Sequence, residues 1–113
     1  MLNAILSPHA LNDRVERLTY IHDTVGFGDR VEAEWFDGNK VLQLTDTGVV
    51  MVKGATDDML VTAYIATLAQ AIRIYYNGLG LNMLPRWLYK RVTRNQQFYK
   101  EQPHIQNVFV KGA

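Results

Sequence analysis

A chain of 113 residues, 48% hydrophobic and 20% charged, has the size and composition of one globular domain and is too short for two. Without cysteine it offers no disulfide framework, no thiolate metal ligand and no cysteine nucleophile, which points to a reducing, cytoplasmic setting. The net charge of +1 hides a split: residues 1–72 carry ten acidic and five basic side chains, whereas residues 73–113 carry seven basic ones against Glu101 alone. That basic end either meets an anionic partner or is neutralised by the front half on folding. No run approaches the ~18 apolar residues of a spanning helix. The first six residues also lack the basic start and long apolar core of a signal peptide. The expectation is a single soluble domain over residues 1–113, away from the membrane.

Ser7-Pro8 marks a helix start, because Ser caps free backbone N–H groups and Pro suits the first helical position. Leu11, Val15, Leu18 and Ile21 recur at helical spacing to about His22, with Asp13, Arg14, Glu16, Arg17 and Tyr20 mostly on the other side. Gly26-Phe27-Gly28 then breaks the helix. Over residues 30–35 the period changes to two, which puts Val31, Ala33 and Trp35 on one face of a strand. Asp37-Gly38 signals a hairpin, residues 41–44 return as a second strand, and Thr47-Gly48 turns the chain into a third at residues 49–52. Asp57 and Asp58 read as turn residues before a fourth strand at residues 60–64.

Residues 57–77 admit a second assignment, in which Thr56-Asp57-Asp58 caps one long helix. The β-formers Val61, Thr62, Tyr64 and Ile65 favour a strand, followed by a helix capped by Thr67. That helix carries Leu68, Ala71, Ile72 and Tyr75 inward and stops at Asn77-Gly78. A last helix opens near Pro85 and runs to about Lys100. The tail at residues 105–110 is left unassigned. The predicted fold class is α+β: an N-terminal helix, a four-stranded antiparallel meander and two C-terminal helices.

The last helix carries the clearest functional signal. Arg86, Lys90 and Arg94, spaced by four, fall within about 80° of one another on its surface. Arg91 and Lys100 widen the arc to roughly a half-circle, while Leu84, Leu88, Val92 and Tyr99 lie opposite and should dock the helix on the sheet. Trp87 and Phe98 fall inside the basic arc. Aromatic rings among guanidinium groups suit single-stranded nucleic acid, where bases stack and phosphates pair with Arg. An acidic protein partner is equally compatible, and so is a solvated face with Trp87 as a core anchor.

Candidates for chemistry are fewer. His9, His22 and His104 are the three imidazoles, the natural acid and base groups for RNA strand cleavage near neutral pH. None is spaced for a helix-borne metal site, and no phosphate-cradling Gly-rich loop or nucleophile elbow is present. No metal or cofactor is expected. Arg17 is expected to pair with Glu16, Asp13, Glu32 or Glu34, and Arg14 is left open.

Three pieces of the chain together resemble the barnase–EndoU–colicin–RelE superfamily of small nucleases, especially its phage and mobile-element members. They are His9-Ala10-Leu11 followed by Arg14 and Arg17, the hairpin-rich centre, and Val61-Thr62-Ala63-Tyr64 leading to Thr67 and Leu84-Pro85-Arg86-Trp87-Leu88. The resemblance implies a metal-independent, toxin-type endoribonuclease in which His9 is a base or phosphate contact, Arg14 a phosphate clamp, and Thr62 and Tyr64 polar groups at the sheet surface. The strands at residues 41–44 and 49–52 carry little polar chemistry where active members often have it, and fold does not fix function. Two further readings therefore stand beside catalysis. One is a non-enzymatic phage accessory or inhibitor protein that binds RNA or a host nucleoprotein through Arg86, Trp87, Lys90, Arg91, Arg94 and Lys100. The other is a homodimer formed through Trp35 and Phe36 or through Tyr75-Tyr76.

Overall fold

Five strands in one mixed sheet, with helices against both faces, make up the α+β architecture of the computed structural model. It describes residues 5–8, 10 and 15–100, with Lys100 by its backbone alone. In chain order these are β1 (Ile5–Leu6), α1 (Val15–Thr24), β2 (Val31–Asp37), β3 (Lys40–Thr45), β4 (Val49–Gly54), β5 (Met59–Ile65), α2 (Leu68–Leu79) and α3 (Arg86–Lys100). The sheet order is β1-β5-β4-β3-β2, so the predicted meander of β2 to β5 is present with every neighbour antiparallel. β1 adds a fifth strand, parallel to β5 through Ile5↔Met59 and Leu6↔Leu60. Two residues are too few for a period of two to show, which is why alternation in the sequence misses it.

The tight turns follow from local chemistry. Gly38, at φ +66°, starts the two-residue loop that sets Asp37 opposite Lys40, a conformation that costs glycine nothing. At the β4–β5 connection Asp57 Oδ1 accepts the Met59 N–H at 3.0 Å, so these carboxylates are turn residues as expected. Residues 57–77 resolve as a strand and then a helix. Thr67 caps α2 in a reciprocal capping box with Gln70, which satisfies two N–H groups that a continuous helix would not have freed.

Side-chain parity divides the core in two. Ala33, Leu42, Leu44, Val50, Val52 and Tyr64 face α2 and α3, joined by Ala71, Ile74, Tyr75, Leu88 and Val92. Val49, Met51, Ala63 and Ile65 face the other way, with Leu18 and Ile21 of α1 and Phe27. β4 is buried on both sides, and its run Val49-Val50-Met51-Val52 reads accordingly as continuous rather than alternating.

At the amino-terminal end the Ser7 hydroxyl accepts the Ala10 N–H at 3.2 Å, the expected cap. Residues 11–14, the middle of the predicted first helix, lie outside the described residues. Val15 is exposed rather than part of the buried stripe, and α1 ends at Thr24, two residues beyond the expected stop.

α2 differs from expectation in a way that matters for packing. Leu68 packs against the core and Ala71 and Tyr75 are buried, as expected, but Gln70 and Ile74 are buried in place of Ile72, and the left-handed cap is Gly80, not Gly78. Gly78 serves a different purpose: a Cβ there would run into the Glu34 backbone carbonyl of β2. It lets the helix lie directly on the strand. In an ordinary exposed helix Gly→Ala stabilises by about 1 kcal/mol. For Gly78→Ala we expect the opposite sign, a loss of about 1–3 kcal/mol from overpacking, read from the midpoint of urea unfolding.

Candidate nucleic-acid interface

α3 is fixed to the scaffold before it presents anything. Leu88 and Val92 are fully buried against the sheet, which contributes about 1.5–3 kcal/mol each as an upper bound. Two amides then set its rotation. Asn95 Nδ2 donates to the Thr47 carbonyl in the β3–β4 turn at 2.8 Å. Gln96 Oε1 accepts the Leu68 N–H at 2.9 Å, satisfying a free donor in the first turn of α2. These two residues were not singled out by sequence reasoning. The available signal was their place flanking the apolar line of α3, where an amide can reach a neighbouring backbone.

With that side anchored, Arg86, Lys90, Arg91 and Arg94 are all exposed on the opposite side, as the helical spacing predicts. α3 contains no Asp or Glu. Among the described residues none of these four cations is paired within 4.0 Å with a carboxylate; ion pairs there include His22–Asp23, Arg30–Glu32 and Lys53–Asp58. Their charge is therefore not cancelled by direct pairing with the described carboxylates of the acidic front half. The side chain of Lys100 lies outside the described residues.

Trp87 is not a core anchor. It remains 43% exposed, with the Arg30 guanidinium over its ring at 5.4 Å from the centroid. Arg30 is itself held: its Nε donates to Glu32 Oε1 at 2.5 Å, and its backbone exchanges hydrogen bonds with Asp46, N–H to Oδ1 at 3.3 Å and C=O from N–H at 3.1 Å. A cation over an indole is worth about 0.5–1 kcal/mol at a partly exposed site, enough to order the ring without burying it. Arg30, in the loop just before β2, thus orders this side of α3 from outside the helix, a neighbour that no one-helix pattern shows. Phe98, in the last turns of α3, is 58% exposed and meets Tyr99 edge-on at 4.9 Å.

The residues implied by the nuclease resemblance are not brought together among the described residues. His9 and Arg14 lie outside them. Thr62 is half-buried and accepts a hydrogen bond from Arg17 Nη1 at 3.3 Å. Tyr64 is a correction: it is 1% exposed, inside the core under α2 and α3 rather than at an open sheet surface. Its hydroxyl finds no hydrogen-bond partner among the described residues. Burial pushes its pKa from 10.0 up to about 12, against a smaller downward pull from Arg73. His22, exposed on α1, pairs with its neighbour Asp23 at 3.1 Å. The aromatics suggested for a dimer also separate: Trp35 is half-buried beneath Arg73 and Tyr75 is buried, while Phe36 and Tyr76 are exposed.

A depression of about 390 Å³ along α1 is lined by Val15, Glu16, Thr19, Tyr20 and Asp23. Its described lining holds the carboxylates Glu16 and Asp23 and no cation, on the opposite side of the sheet from the face that buries α3, and suits an anionic polymer poorly. Compared with family models, curated proteins and solved structures, the chain matches none.

The Tyr64 phenol gives a measurable consequence. A folded pKa raised above the unfolded one means the unfolded chain releases the proton first. The stability tied to this group is complete below pH 10 and lost as pH rises from 10 through 12. The loss amounts to about 2–3 kcal/mol. Tyr64→Phe is expected to raise stability at neutral pH by about 1 kcal/mol, since it removes an unpartnered polar atom. It should also flatten that alkaline loss, both checked by urea unfolding across the pH series.

Proposed function

We propose that this protein is a non-catalytic nucleic-acid-binding module, directed at RNA through the exposed face of α3. The observation that carries the reading is the set of exposed cations Arg86, Lys90, Arg91 and Arg94, unpaired with any carboxylate among the described residues, on an acid-free helix, with Trp87 half-open among them. Four charges of one sign within a few turns create a positive potential that a phosphate backbone neutralises, with release of its counterions. Arg adds planar, multidentate contacts to phosphate oxygens. Catalysis is not part of the proposal, because the described residues supply no paired acid and base around a common point.

The test is binding of total RNA or a labelled oligonucleotide, with intact RNA followed on the same gel. A salt-dependent shift without cleavage is expected. In the variant Arg86→Ala/Lys90→Ala/Arg94→Ala, the slope of log affinity against log salt should fall by about 2–3, at 0.7–0.9 per phosphate contact. The melting curve should not fall and should rise slightly, since all three side chains are exposed and the variant relieves their mutual repulsion. Discrete cleavage lost in His9→Ala would overturn the non-catalytic reading in favour of a nuclease, and no shift at all would direct the search to an acidic protein.

A further inference from the structure

Beyond a general affinity for phosphates, we infer that the surface takes single-stranded nucleic acid lying lengthwise along α3, with a base stacked at each end. The inference rests on the nucleic-acid reading above and adds strand class, direction and length.

Trp87 and Phe98 are eleven positions apart in one continuous helix. At 3.6 residues per turn that is three turns, so the rings lie within about 20° of one line, about 16 Å apart along the axis. Lys90, Arg91 and Arg94 fall between them, each within about 60° of the same line. The order along the helix is therefore ring, cations, ring. Both rings are open, at 43% and 58% exposure. Large aromatic rings left in water among charges are poor choices for a merely solvated face, where Lys, Glu or Gln would serve. They are suitable as stacking platforms, because every base has a π-face.

The Trp87 platform is also preorganised. Arg30 sits over its ring, pinned by Glu32 and by the Asp46 backbone contacts, so binding does not have to order the indole. Arg30 acts here as a positioning residue, its own charge already paired with Glu32. A duplex keeps its bases stacked inside and presents only phosphates to this surface, whereas a single strand offers both components. At the ~3.4 Å spacing of a stacked strand, 16 Å corresponds to about five nucleotides, and fewer if the strand is stretched.

The experiment is fluorescence anisotropy on the full chain with a labelled 12-nucleotide oligouridine. Competitors are unlabelled 3- and 12-nucleotide strands, a 12-base-pair duplex, and inorganic polyphosphate, a polyanion without bases. Trp87→Ala and Phe98→Ala should each weaken the 12-nucleotide strand by about five- to 150-fold. Both should leave polyphosphate binding unchanged, which also shows that the variants are folded. Trp87→Phe should retain most of the affinity, and the 3-nucleotide strand should compete poorly. Equal binding of duplex and single strand, an alanine effect as large on polyphosphate as on RNA, or a Trp87→Phe loss equal to that of Trp87→Ala would overturn the inference. Those three results leave the phosphate-binding reading standing. Failure of the wild-type chain to bind either polymer overturns both.

Discussion

The hydrogen bond from the Asn95 amide to the Thr47 carbonyl, 2.8 Å long, fixes which way α3 is turned. The same β3–β4 turn receives the loop after α1: the Thr47 hydroxyl donates to the Gly26 carbonyl at 2.7 Å, and Asp46 accepts from Asp29 and Arg30. One short turn thus holds both the helix that carries Trp87 and the segment that carries Arg30. Their meeting is a property of the scaffold rather than of two long side chains that happen to touch. A buried amide aimed at a carbonyl is directional in a way that Leu88 and Val92 are not. Apolar contact alone would hold α3 against the sheet and leave its rotation loosely set.

That arrangement carries a modest intrinsic cost. Arg86–Lys90 and Lys90–Arg94 are like charges at i,i+4, each destabilising by about 0.2–0.5 kcal/mol. Burial of Leu88 and Val92 outweighs this several-fold, so the helix docks with its charges uncompensated. Interspersed Glu residues would have removed the repulsion at the price of the positive potential. Their absence from α3 keeps the potential.

Much of the fold was legible because it is written in local chemistry. The change of period at Arg30, the Asp37-Gly38 turn, the Thr67 cap and the split between the Leu88/Val92 and Arg86/Lys90/Arg94 sides of α3 each involve residues within a few positions of one another. What the sequence did not reveal is non-local. β1 becomes a strand only because Met59 and Leu60 lie alongside it. Gly78 looks like a helix stop until the Glu34 backbone is brought beneath it. Tyr64 alternates like a surface strand residue, yet α2 and α3 close over it. The candidate interface was half visible for the same reason. Its cations follow from helical spacing, whereas Arg30 arrives from the loop before β2 and the orienting amides Asn95 and Gln96 acquire meaning only with partners 48 and 28 residues away.

β2, the last strand in the sheet order, leaves one rim of backbone donors and acceptors without a strand beside it among the described residues. Such rims template the growth of a sheet from one molecule to the next. This one alternates carboxylates along its length and departs from regular register between Val31 and Ala33. A second copy brought up antiparallel about Ala33 would set Glu32 against Glu34 in both directions, like charge facing like charge. The rim is therefore guarded by the same Glu32 that pins Arg30 over Trp87. One carboxylate both orders a contact within the molecule and discourages one between molecules.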